Sequence, residues 1–250
     1  MKLNVKNLAG IAAVALMIVA AAGLRGCVRV YDSHKLCESL DVQVKGGVEF
    51  VSEEDVRSFL DKNYGCYIGV RLDSLDLGRI EELLGTKKVL VGSEAWTTRD
   101  GVLHVAVEQR APALRFQRGS EGFYMDAEGF TFPLHPSYTA PVPLIEGAIP
   151  PIEKGERPEW AAGILELSAL VSDSPRWAER IEKISVSRGG DVELKAVSGE
   201  RFIIGEPVRL ADKLGRLEKY YTHIIPAMGE KYYKSVNVKY NKQIICRKDT

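Results

Sequence analysis

Cysteine is scarce in this chain: 250 residues hold four, Cys27, Cys37, Cys66 and Cys246, and no two form a CxxC pair. That argues against a zinc site, and the uneven spacing is unlike a disulfide framework. Isolated, partly buried thiols are the expectation. Histidine is equally sparse: His34, His104, His135 and His223 fall in a linker, a strand, a loop and a helix. None stands at metal-ligand spacing from a Cys, Asp or Glu, and no HExxH, GxSxG or P-loop occurs. Neither sign of charge is in excess, with 34 basic residues against 34 acidic ones. Without a basic stripe there is no electrostatic footprint for nucleic acid. Low-complexity tracts and internal repeats are missing too. What remains is an ordinary globular composition, with 45% hydrophobic residues, enough to bury a core after residue 38.

The charged clusters that do occur have plain readings. Glu53-Glu54-Asp55 and Glu81-Glu82 fall on predicted helices, where solvated faces and capping account for them. Glu153 to Arg157 reads as a solvated connector and Arg247-Lys248 as a solvated terminus. No catalytic, cofactor-binding or metal-ligating residue is expected.

One long apolar run stands near the N-terminus. Leu8 to Leu24 is unbroken by charge and is bracketed by Lys2, Lys6, Arg25 and Arg29. As a helix its length is roughly 25 Å, slightly short of a bilayer core, a gap that snorkelling Lys and Arg can cover. An uncleaved single-pass anchor is the leading reading. A cleaved signal peptide, on Ala20-Ala21-Ala22, and a lipoprotein, on Leu24-Arg25-Gly26-Cys27, stay open. All three export the rest of the chain. The predicted plan is a short tail (1–7), a transmembrane helix (8–24), a linker (25–38) and two folded units (39–110 and 111–250).

In the first unit Leu40, Val42 and Val44 alternate as a strand. Ser52 then reads as a helix N-cap with Asp55 at the third helical position, and Val51 can staple onto Val56. Val56, Phe59 and Leu60 continue one apolar face. Leu77, Ile80, Leu83 and Leu84 give a second helix that Gly85 ends. Strands at about Val89 to Thr98 and Val102 to Glu108 follow, joined by Asp100-Gly101, with Leu103, Val105 and Val107 inward. His104 points to the opposite, solvated face. The order strand, helix, helix, strand, strand is α+β, with both helices on one face of the sheet.

The second unit is rich in strand and turn signals. Ala113 to Gln117, Phe123 to Asp126 and Phe130 to Leu134 read as short strands, turning at Gly119 to Gly122 and at Asp126 to Gly129. Pro and Gly mark an exposed connector over 147–158. Trp160 to Val171 has helical spacing, and Ile181 to Arg188, Val192 to Val197 and Arg201 to Ile204 form a meander. Pro207 is expected to open a helix whose buried face is Leu210, Leu214, Leu217 and Tyr221. Ser235 to Arg247 reads as one extended segment with Val236, Val238 and Tyr240 on one face. A mostly antiparallel β-domain with flanking helices is predicted.

Several of these stretches resemble the cell-division family FtsQ/DivIB. Val44-Lys45-Gly46, Phe50 to Val56 and Leu103 to Pro112 look like the POTRA domain of that family, with Ala95 to Arg99 departing from its usual apolar strand. Phe123 to Gly129, Pro141 to Gly147, Lys213-Leu214-Gly215-Arg216-Leu217 and Val236 to Tyr240 look like landmarks of its β-domain. The resemblance implies an essential, non-enzymatic divisome scaffold that links early and late division proteins at the septum. It would be held in the cytoplasmic membrane with its C-terminal domain outside. The implied partners are small bitopic coiled-coil proteins like FtsB/DivIC and FtsL, with no small-molecule substrate. Tyr240, with Gln243, Ile244 and Ile245, is the implied contact, although Tyr240 reads equally as a core aromatic. An exported cell-wall enzyme and a POTRA-containing transport component are the alternatives.

Overall fold

The computed structural model describes residues 35–152, 157–229 and 231–248. The predicted anchor at 8–24 lies outside the described residues. Among the described residues no helix is long and apolar enough to cross a membrane. The backbone divides between Gln109 and Arg110 into two compact units.

In the first unit β1 (Ser39–Lys45), α1 (Glu53–Asn63), a 3₁₀ turn (Leu72–Ser74), α2 (Leu77–Gly85), β2 (Leu90–Thr97) and β3 (Val102–Gln109) follow in order. The sheet order is β1-β3-β2, so β3 is central. β3 runs parallel to β1 and antiparallel to β2. The parallel pair needs a crossover, which the two helices supply. Local chemistry starts each helix. The Ser52 hydroxyl accepts the Asp55 N–H and the Asp55 carboxylate accepts the Ser52 N–H, a reciprocal capping box. Asp76 accepts the Arg79 N–H at the start of α2. Leu40, Val42, Val56, Leu60, Ile80, Leu84, Leu103, Val105 and Val107 form the core. Each such side chain contributes about 1.5–3 kcal/mol by leaving water. Buried Gln109 closes the unit: its Oε1 accepts the Phe50 and Val51 N–H groups and its Nε2 donates to the Val48 carbonyl. That side chain fixes the loop between β1 and α1.

The second unit is larger and also α+β. Its strands are β4 (Leu114–Arg118), β5 (Glu121–Met125), β6 (Thr131–Pro133), β7 (Leu144–Gly147), β8 (Ile181–Val186), β9 (Val192–Ala196), β10 (Arg201–Gly205), β11 (Ser235–Asn237) and β12 (Ile245–Arg247). Its helices are α3 (Pro158–Ser172), α4 (Pro175–Ala178), α5 (Leu210–Lys219) and α6 (Ile225–Met228), with a π turn at Tyr220–Ile224 between the last two. One nine-stranded sheet runs in the order β12-β11-β10-β9-β8-β7-β4-β5-β6. Most neighbours are antiparallel; β4–β7, β7–β8 and β10–β11 are parallel. Central β7 was not legible as a strand, because four residues between prolines show no alternation. Trp160, Ile164, Leu167 and Val171 of α3 and Leu210, Leu214 and Leu217 of α5 pack with Phe116, Ile145, Leu194, Phe202 and Val236.

Two expectations for α5 need correction. Pro207 does not open the helix, which starts at Leu210 after Arg209 in the left-handed region, φ 52°. Pro207 is instead buried where α3 passes, and a Cβ on Gly163 would stand 2.0 Å from its carbonyl oxygen. Helix closeness there requires glycine. At the end of α5 the tyrosine that is fully buried is Tyr220, while Tyr221 packs against the core partly buried, beside Trp177. Pro226 has no N–H for the α-helical ladder, and the chain widens into a π turn in which the Ile225 N–H reaches the Tyr220 carbonyl.

Candidate partner-binding site

The C-terminal segment is not one extended strand. It is a hairpin: β11 lies between β10 and β12, and β12 forms the border of the sheet. The last rung of the β10–β11 ladder is the Val238 N–H on the Ile203 carbonyl; the Lys239 N–H then turns back to Asn237 Oδ1 at 2.9 Å, and Lys242 takes a left-handed φ of 59° in the bend. The chain then returns antiparallel, with Ser235 opposite Arg247, Val236 opposite Cys246 and Asn237 opposite Ile245.

This turn decides where the expected site residues stand. Val236 and Val238 are fully buried. Tyr240, expected on the same face, sits in the bend after them and is 51% exposed, so its reading as a core aromatic is overturned. Gln243 is exposed in the return, and Ile244 packs partly against the core. Ile245 is half-buried on β12 itself. The four residues therefore share one hairpin, with Tyr240 and Gln243 accessible.

Side chains from elsewhere hold the bend. Lys239 Nζ lies 2.8 and 3.0 Å from the two Asp191 carboxylate oxygens, and the Asp191 carboxylate holds the Lys239 ammonium above the usual lysine range. Arg216 of α5 donates to the Val238 carbonyl at 2.7 Å. Nearby Lys213 is buried and donates to the Glu206 carbonyl at 2.6 Å; burial, then Arg209 and Arg216, push its ammonium below the lysine range. Sequence reasoning missed this set, since Asp191 and Lys239 lie far apart along the chain and no motif links them. Cys246 faces the core side, and burial raises its thiol.

A separate polar network lies in the first unit. His104 Nδ1 is 2.9 Å from Asp41 Oδ2, His104 Nε2 is 3.0 Å from Thr98 Oγ1, and its ring stacks on Trp96 at 5.2 Å. The bond from His104 holds the Asp41 carboxyl below its usual range. As expected, His104 is on the face opposite Leu103, Val105 and Val107. Trp96 stands opposite His104 in the sheet, after a register shift between Leu90 and Gly92. Among the described residues no three His, Cys, Asp or Glu side chains are grouped to hold a metal ion.

A family model described as "FtsQ/DivIB, C-terminal related" matches residues 111–247. No curated protein matches the chain.

Proposed function

We infer the role of this chain from its membership: it belongs to the FtsQ/DivIB, C-terminal related family, which ties it to bacterial cell division. We propose that it is a non-enzymatic divisome scaffold that joins early and late division proteins at the septum. In this reading residues 8–24 anchor it once in the cytoplasmic membrane with the N-terminus inside. Residues 39–110 form a POTRA domain outside, and the second unit receives a small bitopic coiled-coil protein like FtsB/DivIC, itself paired with one like FtsL.

The observation that carries the reading is the border strand β12 beside an exposed tyrosine. A border strand offers unpaired N–H and C=O groups, to which a partner segment can add with backbone bonds. Tyr240 stands half-exposed at the adjoining bend, where an aromatic anchor gives affinity at small entropic cost. Ile245 and Gln243 would then supply side-chain specificity.

The test is a pull-down of the full chain from solubilised membranes. Wild type should bring down two small coiled-coil membrane proteins. Tyr240→Glu should lower their recovery at least about tenfold, the loss expected for a hot-spot anchor. Equal recovery by both chains would refute the site, and depletion that leaves cells dividing normally would refute the role.

A further inference from the structure

We propose that Lys239 and Asp191 form a positioning clamp that pre-sets the Tyr240 bend for its partner, an inference that rests on the binding role proposed above. Asp191 stands just before β9, held by its N–H on Ser187 Oγ at 3.2 Å and by its carbonyl, which accepts the Ser187 N–H at 2.9 Å. The Lys239 stem must cross the end of β10 to reach it. Gly205 makes the crossing possible: with φ at 74°, a Cβ there would stand 2.8 Å from Lys239 Cγ. The ammonium then meets both carboxylate oxygens. Arg216 grips the preceding carbonyl, of Val238, from α5. Tyr240 therefore leaves a backbone tied on two sides, to the β8–β9 turn and to a helix.

The ion pair is too exposed to matter for the fold, with side-chain exposures of 38% and 28%. Pairs of this kind contribute little to stability. Their effect here falls on the bend that follows. Binding orders a loop at an entropic cost, and a loop held beforehand avoids it. An alternative use of Lys239, reaching out to an acid on the partner, makes a different prediction, since Asp191 would then be a competitor and not an ally.

Three variants of the full chain separate these cases: Lys239→Met, which keeps the stem over Gly205, Asp191→Asn, and the double variant. The clamp predicts that each single variant weakens capture of the coiled-coil partner by up to about fivefold, the most an exposed ion pair supplies, and that the double is no weaker than either single. It also predicts faster amide exchange at residues 241–245 of the free chain in all three, with an unchanged melting temperature. Lys239→Arg should restore both. Loss in Lys239→Met alone, or exchange at 241–245 equal to wild type, overturns the proposal. A Tyr240→Glu chain that still binds would sink the binding role instead, because the exchange comparison needs no partner.

Discussion

The sheets of the two units end differently. In the three-stranded sheet both border strands carry a side chain from a helix: Glu81 of α2 accepts the Ala95 N–H of β2 at 2.9 Å, and Arg57 of α1 donates to the Leu40 carbonyl of β1 at 3.1 Å. In the nine-stranded sheet one border, β6, is three residues long and carries Pro133, which has no N–H to offer. The other, β12, is equally short but has neither device; among the described residues no side chain is bonded to its backbone, and it pairs with β11 alone. Proteins guard the borders that must not pair. Two of the four borders carry a helix side chain, one carries a proline, and the fourth, as short as β6, adjoins an exposed tyrosine.

The largest change to that contrast is removal of the second sheet's support. Gly163→Val puts a side chain where the Pro207 carbonyl already stands, 2.0 Å from the Cβ position. Overpacking against backbone should cost at least about 3 kcal/mol. Faster amide exchange in β10 and β11, with a lower melting temperature, checks it. Glu81→Ala is smaller. It removes the acceptor at Ala95 for about 1 kcal/mol, and it turns a guarded border into an open one. Concentration-dependent self-association by sedimentation, absent in wild type, is the expected outcome; a monomeric variant would show that the guard is incidental.

A further effect is alkaline. Burial, then the bond to Asp61, pushes the Tyr67 hydroxyl up to about 12 from 10.0. A raised acid contributes stability that is complete below pH 10 and is lost as pH climbs through about 12. Tyr67→Phe should flatten that loss in the first unit. In the second unit Tyr221 acts in the same sense, while Lys213, lowered by burial from 10.5, acts oppositely and adds stability as pH rises toward that value. Denaturant titrations between pH 9 and about 11.5 on Tyr67→Phe and Lys213→Met chains separate the two signs.

Much of the fold was readable because its causes are local. The Ser52 and Asp55 pair, the Asp100-Gly101 hairpin and the inward Leu103, Val105 and Val107 each depend on residues within a few positions of one another. β7 was not readable, since its strand identity comes from β4 and β8 on its flanks. For the proposed site, the shape of the segment was not readable. Val236 and Val238 do alternate inward, yet the ladder breaks at Lys239, and the next residue in the pattern, Tyr240, points to solvent.

By itself the chain's sequence determined the α+β class, the capped start of α1, the hairpin of the first unit and the family, because periodicity, caps and turn residues act over short range. Only tertiary structure decided which strand is the border, that Tyr240 is exposed, and that Asp191 meets Lys239. These follow from pairings between residues distant in the chain, whose energies appear only once the intervening segments are packed.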